Sequence, residues 1–185
     1  MKIGVVSDTH GLLRPEVEAV LDGCAVILHG GDIGGQDILD ALGELAPVYP
    51  VRGNNDWGPW GESIPLTREL ELGGLRICMA HMKRDLPGDL TSYDLVITGH
   101  THKYAESRQG KTLLLNPGSC SGCVRKPSSS ESKPRASASS AIAAPSFSRP
   151  LFQFVERANF TSAAYRMPGG SISLKMLLSA FTEPS

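Results

Sequence analysis

Four of the five histidines stand in short clusters with Asp, Gly and Asn, or close to them. The clusters read Asp8-Thr9-His10, Gly31-Asp32, Gly53-Asn54-Asn55-Asp56, His81 and Gly99-His100-Thr101-His102. Neutral imidazole and carboxylate are the donors that borderline divalent cations accept. Two such cations a few ångströms apart are a device for attacking phosphorus. The short carboxylate of Asp32 can bridge them, and Asn54 offers a neutral carbonyl oxygen. A hydroxide can then bridge them as well, because two Lewis acids lower the pKa of water far below its bulk value of about 16. The same charges neutralise the phosphoryl oxygens and hold the ester for in-line attack.

Each cluster follows a run of small or β-branched apolar residues, after Val6, Leu28, Val51, Met79 and Thr98. Ligands of parallel α/β sheets collect where strands end and loops begin, so five loops can converge on one crevice. Residues two apart in an extended segment project to one side, which lets Asp8 and His10 reach one cation. His100 and His102 repeat that spacing. Taken singly, each has a plainer explanation: Asp8 as a helix cap, a lone His as a structural histidine, Asp32 and Gly53-Asn54-Asn55 as turns. Those explanations must all hold at five strand ends at once, and the shared address favours a metal site. His29 lies inside a strand pattern and reads as structural. Arg52, Arg84 and Lys103 read as solvated surface cations.

The elements that must position these residues alternate. Lys2–Ser7 reads as a buried strand. Leu12–Leu21 has helical spacing with Pro15 in its first turn. Ala25–Leu28 is a strand, Gln36–Leu45 a helix and Val48–Val51 a strand, an order that argues for parallel pairing through helical crossovers. Leu70–Leu72 and Arg76–Ala80 flank Gly73-Gly74, a hairpin signal. Leu95–Thr98 and Thr112–Leu115 are further short apolar runs, with polar Lys103–Gly110 between them read as a turn.

The chain has 185 residues, 41% of them hydrophobic, enough for one packed domain. A net charge of −1 argues against strong nucleic-acid binding or attachment to an anionic membrane. The apolar run after Lys2 is too short for a signal peptide or a spanning helix, so a cytoplasmic location is expected. Four Cys in such a chain read as reduced thiols, and Cys120-x-x-Cys123 lacks a second pair for zinc. Composition changes sharply near residue 120. Residues 1–119 hold every His and most acids, whereas 120–185 hold only Glu131, Glu156 and Glu183 as acids, against eight Lys/Arg. Ser128–Pro150 is Ser/Ala/Pro-rich and buries too little apolar surface to offset ordering entropy. Residues 151–181 carry apolar residues without a clear period. We therefore divide the chain into a domain over 1–119 and an atypical, partly disordered tail over 120–185, a linker with a docking segment or the product of a shifted reading frame.

The clusters resemble the signature of the calcineurin-like metallophosphoesterases, which runs Asp-x-His, Gly-Asp, Gly-Asn-His-Asp/Glu, a lone His and Gly-His-x-His. Within that family, residues 1–119 look like the small single-domain bacterial and archaeal phosphodiesterases, and Asn116-Pro117-Gly118-Ser119 fits that subgroup. The resemblance implies an α/β fold, a four-layer αββα sandwich of two mixed β-sheets flanked by helices. It implies one cation held by Asp8, His10, Asp32 and His102, and another held by Asp32, Asn54, His81 and His100. Manganese is the first expectation, with iron, nickel and zinc as alternatives. The implied function is metal-dependent hydrolysis of a small phosphoester, a diester before a monoester. Asn55 stands where many members carry a His that serves the leaving group, and Asn does not donate a proton usefully at neutral pH. Asn55 and Asp56 are the catalytic candidates, with Asp56 orienting Asn55 or acting through water. Met82 replaces a common Gly, and a required positive φ there would strain it. If the tail lacked closing strands, an open sheet edge would invite self-association into a homo-oligomer. The alternative function is a weakly active or inactive scaffold of the same fold, as in a retromer subunit.

Overall fold

The computed structural model describes residues 1–120 and, as backbone, the segments 152–157, 160–167 and 170–177. The first sheet is built on β1 (Lys2–Val6), β2 (Val26–His29) and β3 (Val48–Pro50), which pair in parallel. They are connected by α1 (Pro15–Leu21) and α2 (Gln36–Leu45). Next come α3 (Pro59–Glu62), β4 (Thr67–Leu72), β5 (Leu75–Ala80), a 3₁₀ turn at Lys83–Asp85, β6 (Leu95–Ile97), β7 (Tyr104–Gln109) and β8 (Thr112–Pro117). The final strands are β9 (Phe152–Arg157), β10 (Phe160–Met167) and β11 (Gly170–Leu177). Strand order is β3-β2-β1-β11-β10-β9 in one sheet and β4-β5-β6-β8-β7 in the other, and both mix parallel with antiparallel pairs.

Alternation along each strand divides its side chains between two interiors. Ile3, Val5, Val26 and Leu28 from the first sheet meet Ile77, Met79, Ile97, Leu113 and Leu115 from the second, forming the core between the sheets. Val6 and Ile27 face outward, onto Val17 and Leu21 of α1 and Ile38 and Leu42 of α2. On the far side of the second sheet, Cys78 and Val96 are covered by Tyr93, Leu86 and Leu90. That outer layer is the 3₁₀ turn and the loop after it. Full burial of a Leu or Ile contributes about 1.5–3 kcal/mol, so the inter-sheet core holds the strand ends in fixed relation.

Several expectations need correction. The first helix starts at Pro15, not Leu12, because the residue before a proline is driven out of the α region; Arg14 is extended, at φ −89° and ψ 146°. The polar stretch expected as a turn is β7, an edge strand paired antiparallel with β8. Its largely solvated position removes the need for an apolar run. The chain turns instead at Gly110, whose φ of +60° glycine adopts without strain. The edge beside β1 is not open, since β11 pairs with β1 in parallel from Lys2↔Ser173 to Val5↔Met176. A strand pattern was present there after all: Ile172, Leu174 and Met176 alternate with Ser171, Ser173 and Lys175. Met82 is extended, at φ −107°, so it carries no positive-φ strain. The Ser128–Pro150 segment and Cys123 lie outside the described residues. Among the described residues, no helix is long and apolar enough to cross a membrane.

Candidate metal centre

The loops that follow β1 and β2 are laced together by their backbones. Asp8 N–H donates to Gly31 O at 2.9 Å, His10 N–H to Asp32 O at 3.0 Å and Gly11 N–H to Ile33 O at 2.8 Å. The loop after β6 joins them, with His100 N–H 3.2 Å from both carboxylate oxygens of Asp8. Close approach depends on missing side chains. A Cβ on Gly99 would collide with Ser7 Oγ and Gly30 O, and one on Gly53 with the backbone of Asp32.

Among the described residues, the non-glycine positions with positive φ are Asp8, His10, Asp32, His100 and His102, at +49° to +70°. All are candidate ligands. Backbone in the left-handed region costs an L-residue free energy and persists where surrounding structure enforces it, commonly at functional sites. This corrects the reason given for the Asp8/His10 and His100/His102 spacing. Neither segment is extended at these residues; Asp8 and His10 converge on one cluster with His102, whereas His100 lies against His81.

One ligand atom each from Asp8, His10, Asp32 and His102 lies within 4.8 Å of the others. His10 Nε2 is 3.1 Å from His102 Nε2, and His102 Nε2 is 3.3 Å from Asp8 Oδ1. Asp32 reaches both ways, with Oδ2 3.9 Å from His10 Nε2 and Oδ1 3.4 Å from His81 Nε2. The His81 and His100 rings meet edge to face, with centroids 5.3 Å apart. His81 Nδ1 donates to Gly30 O at 2.7 Å, which fixes its tautomer and aims Nε2 at the centre.

Buried polar atoms normally have hydrogen-bond partners. Among the described residues, Asn54 Oδ1 is buried with none, and His81 Nε2 has only its 3.4 Å approach to Asp32 Oδ1. A second cation beside Asp32 would satisfy both. The donor set of carboxylate, imidazole and amide oxygen therefore fits the implied metal pair.

The charges agree with a cation site. Burial pushes Asp32 upward, but the neighbouring His81 ring and the two Asn55 donors outweigh it, leaving its carboxyl well below the usual range. Asp8 goes the other way, since burial dominates over the Ser7 hydroxyl and the nearby His81 and His102. Burial lowers His81, but the Asp32 carboxylate and Gly30 carbonyl prevail and raise it.

Asn55 meets the centre through Asp32, whereas Asp56 is turned into the loops beside it. Asn55 donates from its backbone to Asp32 Oδ1 at 2.9 Å and from its side chain to Asp32 Oδ2 at 2.7 Å. Asp56 is buried, and its carboxylate accepts from Ile33, Gly34 and Gly53 backbone N–H groups. It braces the loops after β2 and β3 and leaves Asn55 to orient Asp32. Four further residues support the centre, among them His29 in the structural role its strand pattern suggested. Ser7 Oγ donates to Asp8 Oδ2 at 2.6 Å, and Ser119 Oγ donates to Asp8 O at 2.9 Å. Asn116 donates to Gly99 O at 2.7 Å. His29 Nδ1 accepts from Gly31 N–H at 3.2 Å while its Nε2 meets Thr9 Oγ1 at 3.0 Å. Asn116 and Ser119 sit in a segment the family resemblance had singled out, whereas no local signal marks Ser7.

A family model described as the calcineurin-like phosphoesterase superfamily domain matches residues 1–132. The chain belongs to that superfamily. It is 38% identical over 133 residues to a probable metallophosphoesterase of Methanothermobacter thermautotrophicus, covering 64% of this chain and 77% of the relative. Among solved structures it resembles an archaeal phosphodiesterase, with a TM-score of 0.53, 25% identity and coverage of 65% and 85% of the two chains. It also resembles Vps29 of Entamoeba histolytica complexed with Zn2+, with a TM-score of 0.55, 22% identity and coverage of 95% and 98%. At that identity the likeness is one of fold. The calcineurin-like superfamily is metal-dependent, and the clustered Asp and His residues of this member form its candidate metal site.

Proposed function

We propose that this calcineurin-like phosphoesterase hydrolyses phosphodiesters with two divalent cations. Asp8, His10, Asp32 and His102 would hold one, and Asp32, Asn54, His81 and His100 the other. The observation that carries this reading is the position of Asp32, one oxygen turned toward His10 and the other toward His81. When bound, such a pair supplies Lewis acidity that makes water nucleophilic near neutral pH and neutralises phosphoryl charge.

The chain's own residues do the rest. Ser7 and the His100 N–H hold the Asp8 carboxylate in place. Asn55 fixes Asp32 so that both of its oxygens remain directed at the centre. The side-chain amide of Asn55 has no titrating proton, so a departing alkoxide receives no acid from it. Esters with good leaving groups are the better substrates on this account, which places aryl diesters ahead of alkyl ones.

The test is metal-stripped protein reconstituted with manganese, iron, nickel or zinc singly and assayed on mono- and diesters, with metal content measured by mass spectrometry. We expect about two ions per chain and hydrolysis that disappears with chelation. Metal-dependent turnover that survives in both Asp8→Asn and His100→Ala would overturn the site assignment.

A further inference from the structure

A second feature lies beside the candidate metal centre and shares Asn54 with it. The loop after β3, α3 and the start of the 3₁₀ turn line a half-open cavity of about 270 Å³. Its wall includes Asn54, a candidate ligand of the second cation. Trp57 projects into solvent at its rim, 77% exposed, although a large indole is ordinarily buried. Leu66, also exposed, and the half-buried Met82 add apolar surface.

The charged lining is two arginines and two carboxylates, and one of the carboxylates, Asp56, is already engaged by backbone N–H groups. Arg52 and Arg84 stand on the wall, opposed by Glu62. Arg84 has only a loose pairing, Nε to Asp85 Oδ1 at 3.8 Å on a largely exposed side chain, a contact of small energetic consequence. The Arg52 side chain makes no ion pair among the described residues. Guanidinium groups suit phosphate because they present several donors in a fixed plane. The cavity is slightly below the roughly 300–1,000 Å³ of pockets for drug-sized ligands. It therefore has room for one ring system and not for a long chain. An exposed indole gives such a ring a flat face to stack on.

We propose that this cavity binds the nucleobase of a nucleotide-class phosphodiester, on the ester arm that keeps the phosphate after hydrolysis. Trp57 stacks on the base, Leu66 and Met82 pack its edges, and Glu62 accepts a ring N–H. Arg52 and Arg84 draw the phosphate toward Asn54. Water forms the new P–O bond, the P–O bond to the other alcohol breaks, and that alcohol leaves with a proton from solvent. The nucleoside monophosphate then remains in the cavity until release. This inference rests on the phosphodiesterase reading above and assigns that site its substrate class.

The test compares two diesters with one leaving group, thymidine 5′-(p-nitrophenyl phosphate) and methyl p-nitrophenyl phosphate, on the metal-loaded protein. In Trp57→Ala the ratio of kcat/KM for the thymidine ester over the methyl ester should fall about tenfold, as expected for loss of one base–aromatic stack. Because Trp57 is exposed, a thermal melt should show the variant folded. Independently, thymidine 5′-monophosphate should quench the fluorescence of Trp57 saturably in a Trp60→Phe background, and Arg52→Ala should weaken that binding. Hydrolysis of both esters with an unchanged ratio in Trp57→Ala, or no quenching at millimolar nucleotide, would overturn this inference and leave the phosphodiesterase reading standing. Saturable quenching without hydrolysis of either ester would support the cavity and count against the phosphodiesterase.

Discussion

Asp56→Asn separates a brace from a catalyst. The wild-type carboxylate accepts the Ile33 and Gly34 N–H groups on Oδ1, at 2.8 and 3.1 Å, and the Gly53 N–H on Oδ2 at 2.7 Å. It is 3% exposed, so water does not replace a lost partner. Hydrogen bonds to a charged group contribute about 1.5–3 kcal/mol each, roughly twice the neutral value. In the variant, the amide oxygen can still accept from Ile33 and Gly34 but loses the charge, which costs about 1 kcal/mol per bond. The amide NH₂ then faces the Gly53 N–H, a donor against a donor, and a buried unsatisfied donor costs a further 1–3 kcal/mol or so. The sum is about 3–5 kcal/mol, a large part of the 5–15 kcal/mol typical of a whole domain. Urea denaturation followed by tryptophan fluorescence should show the midpoint falling by about 2 M with little change in slope. Metal affinity should weaken in parallel, because the braced loops carry Asp32 and Asn54. A stability loss below about 1 kcal/mol, together with abolished hydrolysis, would refute the bracing argument and make Asp56 catalytic.

Burial lowers His29 to about 3 from an ordinary 6.5. Its folded pKa lies below the unfolded one, so its neutral form stabilises the fold above pH 6.5 and that stability drains away as pH falls toward 3. At pH 5 the loss is about 2 kcal/mol relative to pH 8, and urea titrations of His29→Gln should show a pH dependence flatter by that amount; parallel curves would contradict it. Gly31→Ala, at φ +91° and with a new Cβ 2.7–2.8 Å from the His81 ring, should displace His81 and lower metal stoichiometry while the hydrophobic core persists. A variant that keeps its full metal content would show that the ring has room to move. Aryl phosphodiesters should turn over faster than alkyl ones, and Asn55→His should narrow that gap by supplying a proton; equal rates on the two ester classes would remove Asn55 from the account of the leaving group.

The sequence by itself determined the ligand chemistry. His, Asp and Asn at the ends of apolar runs are legible because metal donors are set by residue type and strand ends by hydrophobic patterning, both local properties. Period and punctuation likewise marked β1, β2, α2 and the β4–β5 hairpin, with small shifts in their boundaries. What lay beyond it depended on partners distant in the chain. β7 is a strand because β8 lies beside it, and Ile172, Leu174 and Met176 carry a strand alternation that the Ser/Pro-rich context obscured until β1 was seen as their neighbour. Asp56 became a catalytic candidate through the family resemblance, whereas its hydrogen-bond partners, the Ile33 and Gly34 amides, lie across a loop where no local signal names them. The positive φ of five of the seven candidate ligands is also a tertiary decision. No residue's own preference demands it, and it persists because three loops fastened by backbone hydrogen bonds leave Asp8, His10, Asp32, His100 and His102 no other path.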